Sequence, residues 1–256
     1  MQNRITDFEG VRNFRDFGGY ASSHGGAVKT GLLYRSGHYS EASEADLAKL
    51  ATFDMALQVD LRRPDERERM AGKWTATHVI THDGGRETDA PHQRFLQRVE
   101  ASAAKADNWM DEYYSKAPFK SHHQDMFSEW FRRLAVAEGP ALVNCAAGKD
   151  RTGILCALTH HILGVSEADR MADYELTNIA AKVDDRLDEA TTYYNQLLGK
   201  DYAREVYQPF LGVRGKYLQT AWAAITQANG SIDAYLKDAL GVTDALRGQL
   251  ITRLVG

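Results

Sequence analysis

Along this 256-residue chain, short apolar runs alternate with longer stretches whose apolar residues recur at helical spacing, and each switch of period marks an element. The segment NFRDFGGYASSHGGAVKTGLLYRSGH sets glycine pairs at Gly18 and Gly25 between short apolar pieces, which predicts hairpins or loops around short strands. Ser43, followed by Glu44 and Asp46, predicts a capped helix through EADLAKLATF. MALQVDLR, Met55 to Arg62, reads as a strand that ends in charge. PDERERMAG reads as a helix with Pro64 in its first turn and Gly72 at its end. THVITHD, Thr77 to Asp83, is short and β-branched, a further strand. From about Pro91 to Glu138 the spacing is helical, with a break near Pro118. ALVNC, Ala141 to Cys145, is a buried-strand candidate, and RTGILCALTHHIL after it has helical length and apolar faces. From Ser166 onward the pattern is helical, with breaks near Gly199, Gly212 and Gly230.

Strands that alternate with helices and then give way to helices alone predict an α/β fold. A central, mostly parallel sheet is expected, flanked by helices, with a helical insertion and a helical C-terminal region. No repeat and no Pro/Gly/Ser-rich linker interrupts residues 1–256, so a single domain is expected. The net charge of −4 and pI near 6.1 leave no basic stripe able to displace counterions from a nucleic acid. Two cysteines, Cys145 and Cys156, are too few for a disulfide framework and lack zinc-finger spacing, which points to a reducing, cytoplasmic setting. The N-terminus is polar from the start and no run approaches a membrane span, so no integral membrane segment is expected and only a signal-independent route of secretion is left open.

The chemistry is concentrated in NCAAGKDRTG, residues 144–153, where a strand turns into a helix. Such a turn leaves several backbone N–H groups without intrahelical acceptors, and the helix dipole adds positive potential to the same volume. Ala146, Ala147 and Gly148 are small enough to let a tetrahedral oxyanion reach the main chain. Arg151 supplies a planar fork for two of its oxygens, and Lys149 a second cation. Cys145 enters the same volume as a thiol activated by the helix terminus and the cations. Together these predict in-line attack on phosphorus and two-step hydrolysis through a cysteinyl-phosphate, with Thr152 hydrogen-bonding the departing sulfur. No metal or cofactor is needed. A nucleotide-binding P-loop does not fit: Val143 stands where the first glycine belongs, and Asp150 where a hydroxyl must reach magnesium. Cys156, inside the apolar helix, reads as core.

The loop resembles the C-x5-R-[ST] signature of cysteine-dependent protein tyrosine phosphatases. Its AGKDRTG form is similar to the bacterial and fungal tyrosine/serine phosphatase family that includes the mycobacterial secreted phosphatase B. NFRDFGG, LLYRSG, VDLRRPDE, DYELTN and GSIDAYLKDALGV agree with that family, so the likeness covers almost the whole chain. It implies a cysteine-phosphatase-like fold, Cys145 as nucleophile, Arg151 as phosphate ligand and the amides from Ala146 to Arg151 as the cradle. The family usually has His before the cysteine, where this chain has Asn144. Asn can donate a hydrogen bond that orders the loop but supplies no charge.

Two residues are candidates for the general acid: Asp150, favoured because this family is thought to place an acidic residue there, and Asp83, which resembles the mobile aspartate of other tyrosine phosphatases. His78 and His82 are too far apart on a strand for easy chelation, and no metal is expected. Arg62 and Arg63 either line the cleft or pair with PDERE. Most of the aromatics Trp109, Tyr113, Tyr114, Phe127, Trp130 and Phe131 read as core, and the resemblance implies that part of their region covers the loop as a lid. The expected substrates are phosphotyrosine proteins, with phosphoserine and phosphothreonine beside them. The alternatives are a phosphoinositide phosphatase, suggested by Lys149, and a catalytically weak phosphoprotein-binding module.

Overall fold

A computed structural model of the chain describes residues 4–86, 95–97 and 100–256. The sheet contains β1 (Arg15–Asp16), β2 (Leu33–Ser36), β3 (Leu57–Asp60), β4 (His78–Ile80) and β5 (Ala141–Asn144) in the order β1-β2-β5-β3-β4. β1 pairs antiparallel with β2, and every other pairing is parallel. The mostly parallel α/β architecture expected from the sequence is therefore present. β5 is central, and the site-bearing loop leaves its C-terminal end, where open α/β sheets hold their ligands.

The residues of β5 explain its place. Ala141 and Val143 face the larger core beside Cys145, while Leu142 faces a second core with Phe14, Tyr39 and Leu50. Both faces are dry, so the strand reads as a continuous apolar run. β3 departs from this pattern: Leu57 and Val59 face the larger core, yet Gln58 and Asp60 are buried polar residues. Those two become part of the site's support.

α1 (Glu44–Ala51) has a complete capping box in which Ser43 and Asp46 satisfy each other's backbone N–H groups. α2 (Pro64–Arg69) starts at proline as expected, but it ends before Gly72. Between β4 and β5 lie α3 (Ala103–Lys116), a 3-10 turn over Ala117–Phe119 at the expected proline break, and α4 (Ser121–Val136). Residues 87–94, at the start of the predicted helical stretch, lie outside the described residues. α4 packs Phe127, Trp130, Phe131 and Leu134 into the core, where truncating one such aromatic to alanine typically costs about 3–5 kcal/mol.

α5 (Asp150–Ile162) follows the loop. The helical C-terminal part comprises α6 (Glu167–Glu175), α7 (Thr177–Ala180), α8 (Val183–Leu198), α9 (Arg204–Leu211), α10 (Gly215–Asn229), α11 (Ile232–Ala234), a π-helical turn over Tyr235–Ala239, and α12 (Asp244–Leu254). The breaks at Gly199, Gly212 and Gly230 fall at C-caps as predicted. A further break at Lys182, whose φ is +50°, has no glycine to announce it. Among the described residues, no helix is long and apolar enough to cross a membrane.

Candidate active site

Between the end of β5 and the start of α5 the chain turns around Cys145, which is 2% exposed. Gly148 makes the turn possible: its φ is +67°, and a Cβ there would lie 2.3 Å from the carbonyl oxygen of Ser36. The carbonyls of the loop point outward, each toward a donor. The His38 amide reaches Ala146 O at 3.2 Å. The Asn13 side chain donates to Ala147 O at 3.2 Å and Gly148 O at 2.7 Å, and Arg35 Nη2 donates to Gly148 O at 3.1 Å. With the carbonyls turned away, the amides from Ala146 to Arg151 donate to no protein acceptor among the described residues. Amides left without acceptors at a helix N-terminus are the kind of group that can receive an anion.

The outer donors are themselves held. Asn13 sits at φ +61°, a left-handed conformation that asparagine tolerates better than most residues. Its side-chain oxygen accepts from Arg15. Arg15 and Arg35 share one carboxylate, Asp173, at 3.3 and 2.6 Å, all three being buried. Burial alone would raise the Asp173 carboxyl, but the two guanidiniums outweigh it and hold the group down at about 2. NFRDFGG, LLYRSG and DYELTN thus meet behind the loop, far from one another in sequence.

On the pocket side, Arg151 donates to both Glu66 oxygens, at 2.6 and 2.9 Å, and to Leu61 O at 2.9 Å. Burial works against the Glu66 charge, yet Arg151 and then Arg63 prevail and hold the carboxyl down at about 2. Arg63 also pairs with Asp65, whereas Arg62 turns into the protein toward Asp60. Of these two arginines only Arg63 lines the pocket. The cavity, about 140 Å³, is lined by Cys145, Asp150 and Arg151 together with Trp109, Tyr113 and Phe210. A water occupies about 30 Å³ of liquid, so there is room for a phosphoryl group and part of what it is attached to. Most of the six aromatics are core as expected, Tyr114, Phe127, Trp130 and Phe131 being fully buried, while Trp109 and Tyr113 are partly buried against the core and line the cavity.

The two candidate acids stand apart. Asp150 lines the pocket, and its Oδ1 accepts from Tyr114 at 2.8 Å and from Lys149 Nζ at 3.0 Å. The Asp83 side chain is fully exposed, pairs with Arg67 at 3.3 Å, and is not among the lining residues of the cavity. Lys149 is 4% exposed and also donates to Pro209 O and Gly212 O at the end of α9, at 3.2 and 3.1 Å. It lines the cavity while holding these three protein acceptors. Thr152 Oγ1 is buried and has no hydrogen-bond partner among the described residues.

Asn144 does not order the loop through its side chain. Its amide donates to Asp60 at 3.1 Å and its oxygen accepts from Gln58 at 2.7 Å, a buried chain across the ends of β3 and β5. His82 bonds to Asp125 and to the Gly84 amide, and no group of metal-ligating side chains occurs among the described residues. Cys156 is buried, which pushes its thiol up to about 12. Glu66, Asn13, Tyr114 and Asp173 escaped the sequence reading as site residues. The only trace they left was membership of motifs quoted for other reasons, and Tyr114 lacked even that.

Known proteins resemble this sequence along almost the whole chain. A Cupriavidus necator protein that carries the name of a tyrosine-protein phosphatase is 35% identical over 95% of this chain and 87% of its own. The triple specificity protein phosphatase PtpB of Mycobacterium tuberculosis is 27% identical over 96% of this chain and 99% of its own. A tyrosine-protein phosphatase of Nostoc commune is 26% identical over 89% and 76%. The profile of the tyrosine phosphatase family matches residues 6–256, and with a relative 35% identical over almost its whole length, the chain belongs to that family of phosphatases.

Proposed function

We propose that this phosphatase works through a covalent phosphocysteine at Cys145. The observation that carries this reading is the loop itself: its carbonyls are taken by outside donors, its amides from Ala146 to Arg151 have no protein acceptor among the described residues, and Cys145 and Arg151 line one cavity beside it. In the first step the Cys145 thiolate attacks phosphorus. The S–P bond forms, the P–O bond to the leaving group breaks, and Asp150 gives its proton to the departing oxygen. Water then attacks phosphorus, Asp150 takes the water's proton, and the S–P bond breaks to release inorganic phosphate. Arg151 and the amides from Ala146 to Arg151 hold the non-bridging oxygens throughout. Thr152 serves the second step, its unpartnered buried hydroxyl being available to the sulfur as charge returns to it. Asp150 is preferred to Asp83 because it lines the cavity, while Asp83 is fully exposed.

Phosphotyrosine is the preferred substrate class, since Trp109, Tyr113 and Phe210 offer aromatic walls to an aryl ring. Phosphoserine and phosphothreonine follow as further substrates, the Mycobacterium tuberculosis relative being named for more than one specificity. The phosphoinositide alternative rested on Lys149 as a spare cation, and its three protein acceptors weaken that case. A reduced Cys145 fits a reducing compartment.

The test is hydrolysis of p-nitrophenyl phosphate by the native chain and by Cys145→Ser, with chelator present, with and without orthovanadate. Turnover that survives chelation and is lost with serine or vanadate is expected. Turnover that survives Cys145→Ser would falsify the covalent route.

A further inference from the structure

We propose that Tyr114 is a positioning residue for proton transfer: its hydroxyl fixes which oxygen of the Asp150 carboxyl carries the catalytic proton. The proposal rests on the reading of Asp150 as the general acid. The Lys149 ammonium and the Tyr114 hydroxyl both reach the same oxygen, Oδ1, at 3.0 and 2.8 Å. An ammonium can only donate. A proton on Oδ1 could be accepted only by the Tyr114 oxygen, and only if that hydroxyl turned its own hydrogen away from Asp150; with Tyr114 donating to Oδ1, the proton is left to Oδ2.

The second tyrosine sets the direction. Tyr174 lies 2.7 Å from the Tyr114 oxygen. Because Tyr114 spends its hydrogen on Asp150, Tyr174 must donate to Tyr114. The order Tyr174, Tyr114, Asp150 holds whether Oδ2 is protonated or not, since Oδ1 accepts in both states. No hydroxyl has to turn as the proton leaves Oδ2 for the substrate oxygen and is later replaced from water. Both phenols stay protonated, as burial raises each well above its ordinary value and the neighbouring Asp150 charge adds to it. Their rings are locked in the core, Tyr114 stacked on Tyr217 at 5.6 Å and edge-on to Tyr174 at 6.3 Å. The oxygen that donates is therefore placed by packing on α3, α6 and α10 rather than by the loop.

The measurement is kcat/KM, which reports the step that expels the leaving group, across aryl phosphates of rising leaving-group basicity and one alkyl phosphate. Native protein, Tyr114→Phe, Tyr174→Phe, Asp150→Asn and the Tyr114→Phe/Asp150→Asn double variant are compared. Tyr114→Phe should lose about tenfold to a hundredfold on basic leaving groups, a part of the roughly 10²–10⁴ that a general acid supplies. On p-nitrophenyl phosphate, whose leaving group needs little protonation, the loss should stay under about threefold, with vanadate inhibition unchanged. In the Asp150→Asn background it should add nothing. A uniform loss across leaving groups, or full additivity with Asp150→Asn, overturns the proposal. If Asp150→Asn steepens the leaving-group dependence and Tyr114→Phe does not, Tyr114 fails while the acid stands; if Asp150→Asn leaves the dependence flat, the acid assignment itself fails. Should Tyr114→Phe not fold, Tyr174→Phe carries the test, since it removes only the donor that directs the Tyr114 hydrogen, and it should show the same selectivity at smaller size.

Discussion

The two sides of the catalytic loop use the same pair of functional groups to different ends. Behind it, Arg15 and Arg35 grip Asp173 with side chains at most 2% exposed; in front, Arg151 and Glu66 form a two-pronged pair at 11% and 9%. The rear cluster is consumed by the fold, because its hydrogen bonds end on Asn13, Gly148, Asp173 and Thr177. The front pair leaves its guanidinium at the wall of a cavity. A modest difference in burial separates an arginine that shapes the cradle from one that fills it.

The contrast can be broken most severely from behind. Asp173→Asn strips the charge that two buried guanidiniums share and should lower unfolding free energy by about 3–5 kcal/mol, read from urea titration; an unchanged midpoint would remove the scaffold role. From the front, Arg151→Lys should leave the urea midpoint nearly in place while kcat/KM falls about 10²–10³-fold, the usual loss when a donor to transition-state charge goes missing, because lysine cannot make the two-pronged contact. Glu66→Gln is milder. It keeps Arg151 charged but loosens its aim, and about tenfold in kcat/KM is expected from losing one charge-assisted hydrogen bond, worth about 1.5–3 kcal/mol; equal losses in stability and rate would place Glu66 with the rear cluster.

The smallest effect concerns pH. Glu66 and Asp173 are both held down at about 2 in the folded protein, from ordinary values of 4.5 and 3.8. As pH falls the unfolded chain takes up these protons first, so the stability they supply is complete above about pH 5 and is lost between roughly 4.5 and 2. Between pH 5 and 3, Glu66→Gln should lose about 1–2 kcal/mol less than the native chain. Parallel acid limbs would show that Glu66 titrates as though unpaired.

What the sequence disclosed follows the range of each interaction. Cys145, Arg151 and the loop around them were legible because a strand, a turn and a helix start are local, and they occupy ten consecutive residues. The glycine-marked breaks after Ser166 were legible for the same reason. Glu66 was not. Within PDERE it has arginines on both sides, and only the register that sets Asp60 of β3 beside Asn144 of β5 brings it to Arg151. Lys149 looked like a free cation because the carbonyls that absorb it belong to residues 60 and 63 positions later. Trp109 and Tyr113 share the helical spacing of core residues, and their exposure to the cavity depends on where α9 places Phe210. Asn144 suggested a hydrogen bond that orders the loop; its side chain bonds Gln58 and Asp60 on the neighbouring strand, partners 86 and 84 positions away that only the strand pairing brings near.

The cradle is a main-chain object, and this divides its residues into fixed and replaceable ones. Gly148 is fixed, since any Cβ would strike the Ser36 carbonyl. Ala146 and Ala147 meet no such barrier: both line the cavity, and Ala147 is exposed. Side chains at these two positions can therefore be exchanged to reshape the mouth of the pocket while the amides beneath keep their aim, which makes 146 and 147 the natural places to retune selectivity by directed evolution without rebuilding the anion site.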